Sequence, residues 1–114
     1  MTERQRILIV EDEPLIAMML EDFLDALDRD VAGTAETVTA ALELVNAGGV
    51  DAAILDVNLR GGEKSWPVAD ALAAAGIPFV LATGGDVLAD DHRNRPVLSK
   101  PFTMDGVEKA LDSL

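Results

Sequence analysis

Five side chains that follow apolar runs could do chemistry together. Arg6-Ile7-Leu8-Ile9-Val10 leads at once into Glu11 and Asp12, and Ala52-Ala53-Ile54-Leu55 into Asp56. The run ending Leu81-Ala82 is followed by Thr83, and Pro96-Val97-Leu98-Ser99 by Lys100. Taken singly, an aspartate that closes a strand is usually a turn-former or a helix cap. Together the five read differently. Three carboxylates brought close repel one another and raise each other's pKa, and a hard cation removes that conflict. Oxygen ligands without histidine or cysteine point to Mg²⁺, typically held by one or two carboxylates plus water. Asp56 is then a nucleophile toward a phosphoryl group, since carboxylates form aspartyl-phosphates. The cation and Lys100 would neutralise the oxygens that carry charge during transfer, and the Thr83 hydroxyl would donate to the new phosphate.

For these residues to meet, the elements must alternate. The Arg6–Val10 run has the apolar continuity of a strand buried on both faces. Pro14 suits the first turn of a helix. The helical period predicts that helix over about Pro14 to Asp28, with Ile16, Leu20, Phe23 and Leu27 central to its stripe. Leu15, Met19, Leu24 and Ala26 widen the stripe, and Met18 stands on the acidic side as a candidate partner contact. A weaker strand spans Val31 to Ala35. Thr37 caps a helix from Val38 to Ala47, closed by Gly48-Gly49. After the strand ending at Asp56, a polar loop leads to a helix capped by Ser65, with Val68, Leu72 and Ala75 inward. The fourth strand covers Ile77 to Ala82 and the fifth Pro96 to Ser99. Thr103 or Asp105 opens a last helix with Val107, Ala110, Leu111 and Leu114 on one face. Five strands alternating with helices predict an α/β fold with a doubly wound, five-stranded parallel sheet. All C-terminal strand tips of such a sheet share one edge, where ligands bind.

Totals narrow the class. The 114 residues suit one compact domain. A formal charge of −12 argues against nucleic acid as a partner. No apolar run reaches the roughly 18 residues of a membrane span, and the N-terminus lacks a signal-peptide layout. With no cysteine there is neither a disulfide framework nor a thiolate metal site, and a cytoplasmic setting fits.

Glu11-Asp12, Asp56, Thr83 and Lys100-Pro101-Phe102, in this order and at these strand ends, resemble the marks of a response-regulator receiver domain over essentially the whole chain. The resemblance implies the CheY-like strand order 2-1-3-4-5. It implies that Asp56 accepts phosphate from a histidine kinase or histidine phosphotransfer protein. It also implies that Asp12 binds Mg²⁺ directly, Glu11 through water and Asn58 through its backbone carbonyl, with Thr83 and Lys100 as a switch pair. A cis bond between Lys100 and Pro101 is implied too. Pro78-Phe79-Val80-Leu81-Ala82-Thr83-Gly84-Gly85 is similar to the motif of the FAT GUY receivers, with Leu81 in place of its second Phe and Asp86 where an aromatic often follows.

Two departures bear on output. Val97 stands where most receivers carry Tyr or Phe, so rotation of an aromatic there does not operate. The interval from Thr83 to Lys100 is short, so the helix between the fourth and fifth strands should be short or mobile. With the chain spanning residues 1–114 as a receiver and no effector domain expected, two roles compete. One is a phosphate shuttle or sink in a phosphorelay; the other is a phosphorylation-dependent binding module regulating a signalling partner. Trp66 reads as packing at a helix start, and His92 as a solvated loop residue. Met19 and Met104 read as core or rim packing, and Glu13 as a helix N-terminal charge rather than a ligand.

Overall fold

The computed structural model describes residues 4–84, 88 and 92–114. Five strands, β1 (Arg6–Val10), β2 (Asp30–Ala35), β3 (Ala52–Asp56), β4 (Phe79–Thr83) and β5 (Val97–Ser99), form one sheet. Its order is β2-β1-β3-β4-β5 and every pairing is parallel. The helices described are α1 (Pro14–Ala26), α2 (Val38–Ala47), α3 (Trp66–Ala74) and α4 (Met104–Asp112), with a 3₁₀ turn at Arg60–Gly62. The expected strand order is present, and a helix follows each of β1, β2, β3 and β5. The expected helix between β4 and β5 falls on a segment lying largely outside the described residues.

Strand side chains alternate, so β1 feeds two cores. Ile7 and Ile9 pack with α1 and α4 on one face of the sheet. Leu8 and Val10 pack with α2 and α3 on the other. β3 and β4 are buried along their whole length, as the uniformly apolar runs require. Beside β1, the register of β2 slips at Ala32, where Ile7 faces Val31 but Leu8 faces Gly33. β2 is an edge strand in which only Ala35 is fully buried, which fits its weaker apolar signal.

Helix ends follow local chemistry. The Thr37 hydroxyl accepts the Ala40 N–H and the Thr103 hydroxyl accepts the Gly106 N–H, each cap worth about 1 kcal/mol. Glu63 adds a carboxylate to the start of α2, accepting the Val38 N–H at 3.0 Å. Ser65 departs from expectation. Its hydroxyl makes no cap; the residue is fully buried and the hydroxyl points to the Val57 carbonyl at 3.4 Å. α1 ends two residues before Asp28. Asp28 takes a positive φ of 60°, and the Arg29 and Asp28 N–H groups bond the Leu24 and Asp25 carbonyls. This is a Schellman end built on aspartate instead of glycine. Four further residues expected on inward faces are corrected. Leu15 is 78% exposed; it lies in the first turn of α1, ahead of Ala17, Leu20 and Leu24, the buried residues of that helix. Ala26 and Ala75 lie exposed at helix C-termini, where the chain turns away from the core, and Leu114 is exposed at the end of α4.

Candidate functional site

The strand order reverses between β1 and β3, and open α/β sheets bind ligands in the crevice outside such a point. Asp56 lies there. It is 3% exposed, at the tip of the central strand, in register with Ala82 of β4 and one residue beyond the last pair of β3 with β1. Its Oδ1 accepts the Asn58 N–H at 3.2 Å and its Oδ2 accepts Lys100 Nζ at 3.1 Å.

Glu11 and Asp12 approach from the tip of β1. One carboxylate oxygen from each of Glu11, Asp12 and Asp56 lies within 4.8 Å of the others. Glu11 is 1% exposed; its Oε1 accepts the Glu13 N–H at 3.2 Å, while its Oε2 is buried without a hydrogen-bond partner among the described residues. Burial first, and the neighbouring Asp56 charge second, push the Glu11 carboxyl up to about 8. A buried acceptor with no donor among the described residues, beside two more acids, is an arrangement that a bound cation would satisfy. The donor set, all oxygen and partly carboxylate, fits Mg²⁺. Glu13 does not join the three acids; it is the N-cap residue of α1.

β4 and β5 complete the edge. Thr83 closes β4, is 7% exposed, and its carbonyl accepts the Lys100 N–H at 3.3 Å. Burial opposes the charge on Lys100, but the hydrogen bond and charge of Asp56 outweigh it and raise the lysine pKa. The Lys100–Pro101 bond is cis, as the resemblance implies. Asn58 lies on the β3–α3 loop, which folds back on itself. Asn58 bridges to Lys64, the Lys64 ammonium donates to the Asn58 side-chain oxygen, and the Glu63 carbonyl accepts the Leu59 N–H at 2.8 Å.

Glu11, Asp12, Asp56, Thr83 and Lys100 therefore lie at the C-terminal ends of their strands, on one sheet edge, with Asn58 on the loop after β3 and Val97 43% exposed at the start of β5. His92 was misread. It is 3% exposed, not solvated, and packs on Trp66 and Phe79. Only tertiary contact buries it, and its acidic and basic sequence neighbours conceal this.

Residues 7–84 match the family of response regulator receiver domains. The solution structure of SdrG from Sphingomonas melonis Fr1 is 67% identical, with TM-score 0.89, over 99% of this chain and 98% of that one. Its BeF₃-activated conformation, from Pseudomonas melonis Fr1, is 66% identical with TM-score 0.83, over 99% and 98%. The Phyllosphere-induced regulator PhyR of Methylorubrum extorquens is 35% identical over 101 residues, 84% of this chain but 38% of the relative. The anti-anti-sigma factor PhyR from Bartonella quintana is 27% identical with TM-score 0.82, over 96% of this chain and 46% of that one. The chain thus spans less than half the length of these PhyR relatives. With the sheet order, the acidic edge and the family match in agreement, the chain belongs to the response regulator receiver domain family.

Proposed function

We propose that Asp56 accepts a phosphoryl group from the phosphohistidine of a histidine kinase or phosphotransfer protein. The observation that carries this reading is a buried carboxylate at the β1/β3 switch point, faced by two further acids and one ammonium. An Asp56 oxygen forms the bond to phosphorus as the phosphorus–nitrogen bond of the donor breaks. The bonding pair returns to the donor imidazole, which takes up a proton. Glu11, Asp12, Asp56 and the Asn58 backbone carbonyl would hold Mg²⁺, which when bound supplies positive charge against the phosphoryl oxygens. Lys100 neutralises the same charge from the other side, and the Thr83 hydroxyl donates to the phosphate.

A cavity of about 470 Å³ opens beside Lys100, lined by Glu13, Ile16, Met19, Lys100, Pro101 and Phe102. Leu15 and Met18, 78% and 56% exposed, stand on the same helix. This apolar rim next to the acceptor suits docking of the phosphodonor. Gly84 beside Thr83 brings no side chain to cover a phosphate, which supports a short-lived phosphorylated state and a shuttle or sink role. The likeness to PhyR supports a second reading, a module that binds a signalling partner when phosphorylated.

Incubation with histidine kinases and phosphotransfer proteins in Mg²⁺ tests the proposal. Label should appear on the wild type and be lost in Asp56→Ala; absence of label from every donor overturns it. Hours of persistence of the phosphate would sink the sink role. Equal partner affinity with and without BeF₃ would sink the binding role.

A further inference from the structure

Lys100 reaches Asp56 from the end of a strand that does little to hold its own register. β5 has three residues, lies at the sheet edge and pairs with β4 alone. A slip of one residue would carry Lys100 about 3.3 Å along the strand and turn the strand's side chains over. Its 3.1 Å contact with Asp56 would be lost.

The turn just before β5 is held from outside the sheet. The Arg95 N–H donates to the His92 carbonyl at 3.2 Å, closing residues 92–95. From that turn the His92 ring stacks on Trp66, with centroids 5.9 Å apart and planes at 11°. Its Nε2 lies 2.8 Å from Asp70 Oδ1. Trp66 and Asp70 both belong to α3, one turn apart. The edge of the His92 ring also meets Phe79, at 5.6 Å and 63°, and the Arg95 guanidinium lies over the Phe79 ring at 4.4 Å. Phe79 is fully buried in β4, two residues before Leu81, the first β4 residue paired with β5. Two side chains of one short turn thus grip the strand against which β5 must register.

We propose that His92, with Arg95, is a positioning residue for Lys100. The pair clamps the 92–95 turn to Phe79 and α3, and so sets the register of β5. This rests on the reading of Asp56 and Lys100 given above. The grip is one-sided, since among the described residues His92 Nδ1 is buried without a hydrogen-bond partner; orientation comes from the Asp70 bond and the two rings.

The test uses the whole chain with Mg²⁺ and BeF₃⁻ as probes, and Lys100→Ala as benchmark. His92→Ala should weaken BeF₃⁻ binding about tenfold, the scale of one charge-assisted hydrogen bond, and leave Mg²⁺ affinity undiminished, as Lys100 is not a ligand. In the Lys100→Ala background, His92→Ala should cost less than about twofold more, because both changes act on one interaction. Unchanged BeF₃⁻ binding, a parallel fall in Mg²⁺ affinity, or losses that multiply in the double variant each overturn the clamp. His92→Phe keeps the stack but not the Asp70 bond, should give an intermediate loss, and carries the same test if His92→Ala does not fold. If Lys100→Ala itself binds BeF₃⁻ like wild type, the reading of the site fails. The clamp is then decided by amide exchange at Val97–Ser99, which speeds up in His92→Ala if the clamp holds and stays unchanged if it does not.

Discussion

Glu11 is a carboxyl group held where its charged form is disfavoured. Its ordinary value is 4.5 and in the folded, metal-free chain it is pushed up to about 8. Between those values the folded state binds more protons than the unfolded one, so stability falls as pH rises. Below that window the group has no effect, and above it the penalty is complete. A cation replaces the proton, so Mg²⁺ affinity runs the opposite way. The melting temperature of the metal-free chain should fall by at least ~4 °C as pH rises from about 5 to about 8, the effect of roughly 1 kcal/mol in a domain of this size. The stabilisation by Mg²⁺ should grow over the same range. Glu11→Gln should flatten both dependences and weaken Mg²⁺ binding by about tenfold, the scale on which losing one electrostatic contact acts. Melting curves across pH, with and without Mg²⁺, decide this, and a metal-free melting temperature that rises with pH would refute it. The acid was legible in the sequence because it closes an apolar run. Its burial was not, because that depends on β1 lying between β2 and β3.

At the scale of elements, α1 ends on an aspartate in left-handed backbone. Asp28 has φ 60° and places a negative charge at the C-terminal, partially negative end of the helix. Glycine adopts that conformation without a Cβ penalty. Asp28→Gly should stabilise the fold by ~0.5–1 kcal/mol, measured by urea unfolding with the Asp56 site unaffected; a loss of stability would show that the Asp28 side chain contributes more than its backbone costs. Element types were legible where periodicity was long or apolar continuity complete, as in α1, β1, β3 and β4. Ends were less so. Asp28 carries none of the glycine signal that marks a Schellman end, and Ser65 has the composition of a cap while its hydroxyl turns inward toward Val57. Leu15 fits the apolar stripe by angle but is exposed in the first turn of α1, which one helix's periodicity cannot reveal.

For the whole molecule, the α/β alternation predicts the sheet, and the sheet puts every chemically able strand end on one edge. That is why the site was more legible than the surfaces around it. Among the described residues, α1 and α4 cover one face and α2 and α3 the other. Apolar surface among the described residues stands on α1 at Leu15 and Met18 and in the cavity beside Lys100. Met18→Glu combined with Leu15→Glu should cut phosphotransfer from a protein donor at least about tenfold, by burying charge in a desolvated contact. Labelling by a small phosphodonor such as acetyl phosphate should be unchanged. Equal losses with both donors would place the defect in the site instead of the docking surface.

The stack between Trp66 and His92 has a consequence of another kind. The chain holds one tryptophan and no tyrosine. Its near-ultraviolet emission therefore comes essentially from a single indole, and that indole lies against the turn that leads to the lysine strand. Any event that shifts the turn changes the environment of the ring and with it the colour and yield of its light. The protein thus carries a built-in optical gauge for the edge of the sheet where no aromatic rotates at Val97, readable without a label, a partner or an engineered probe.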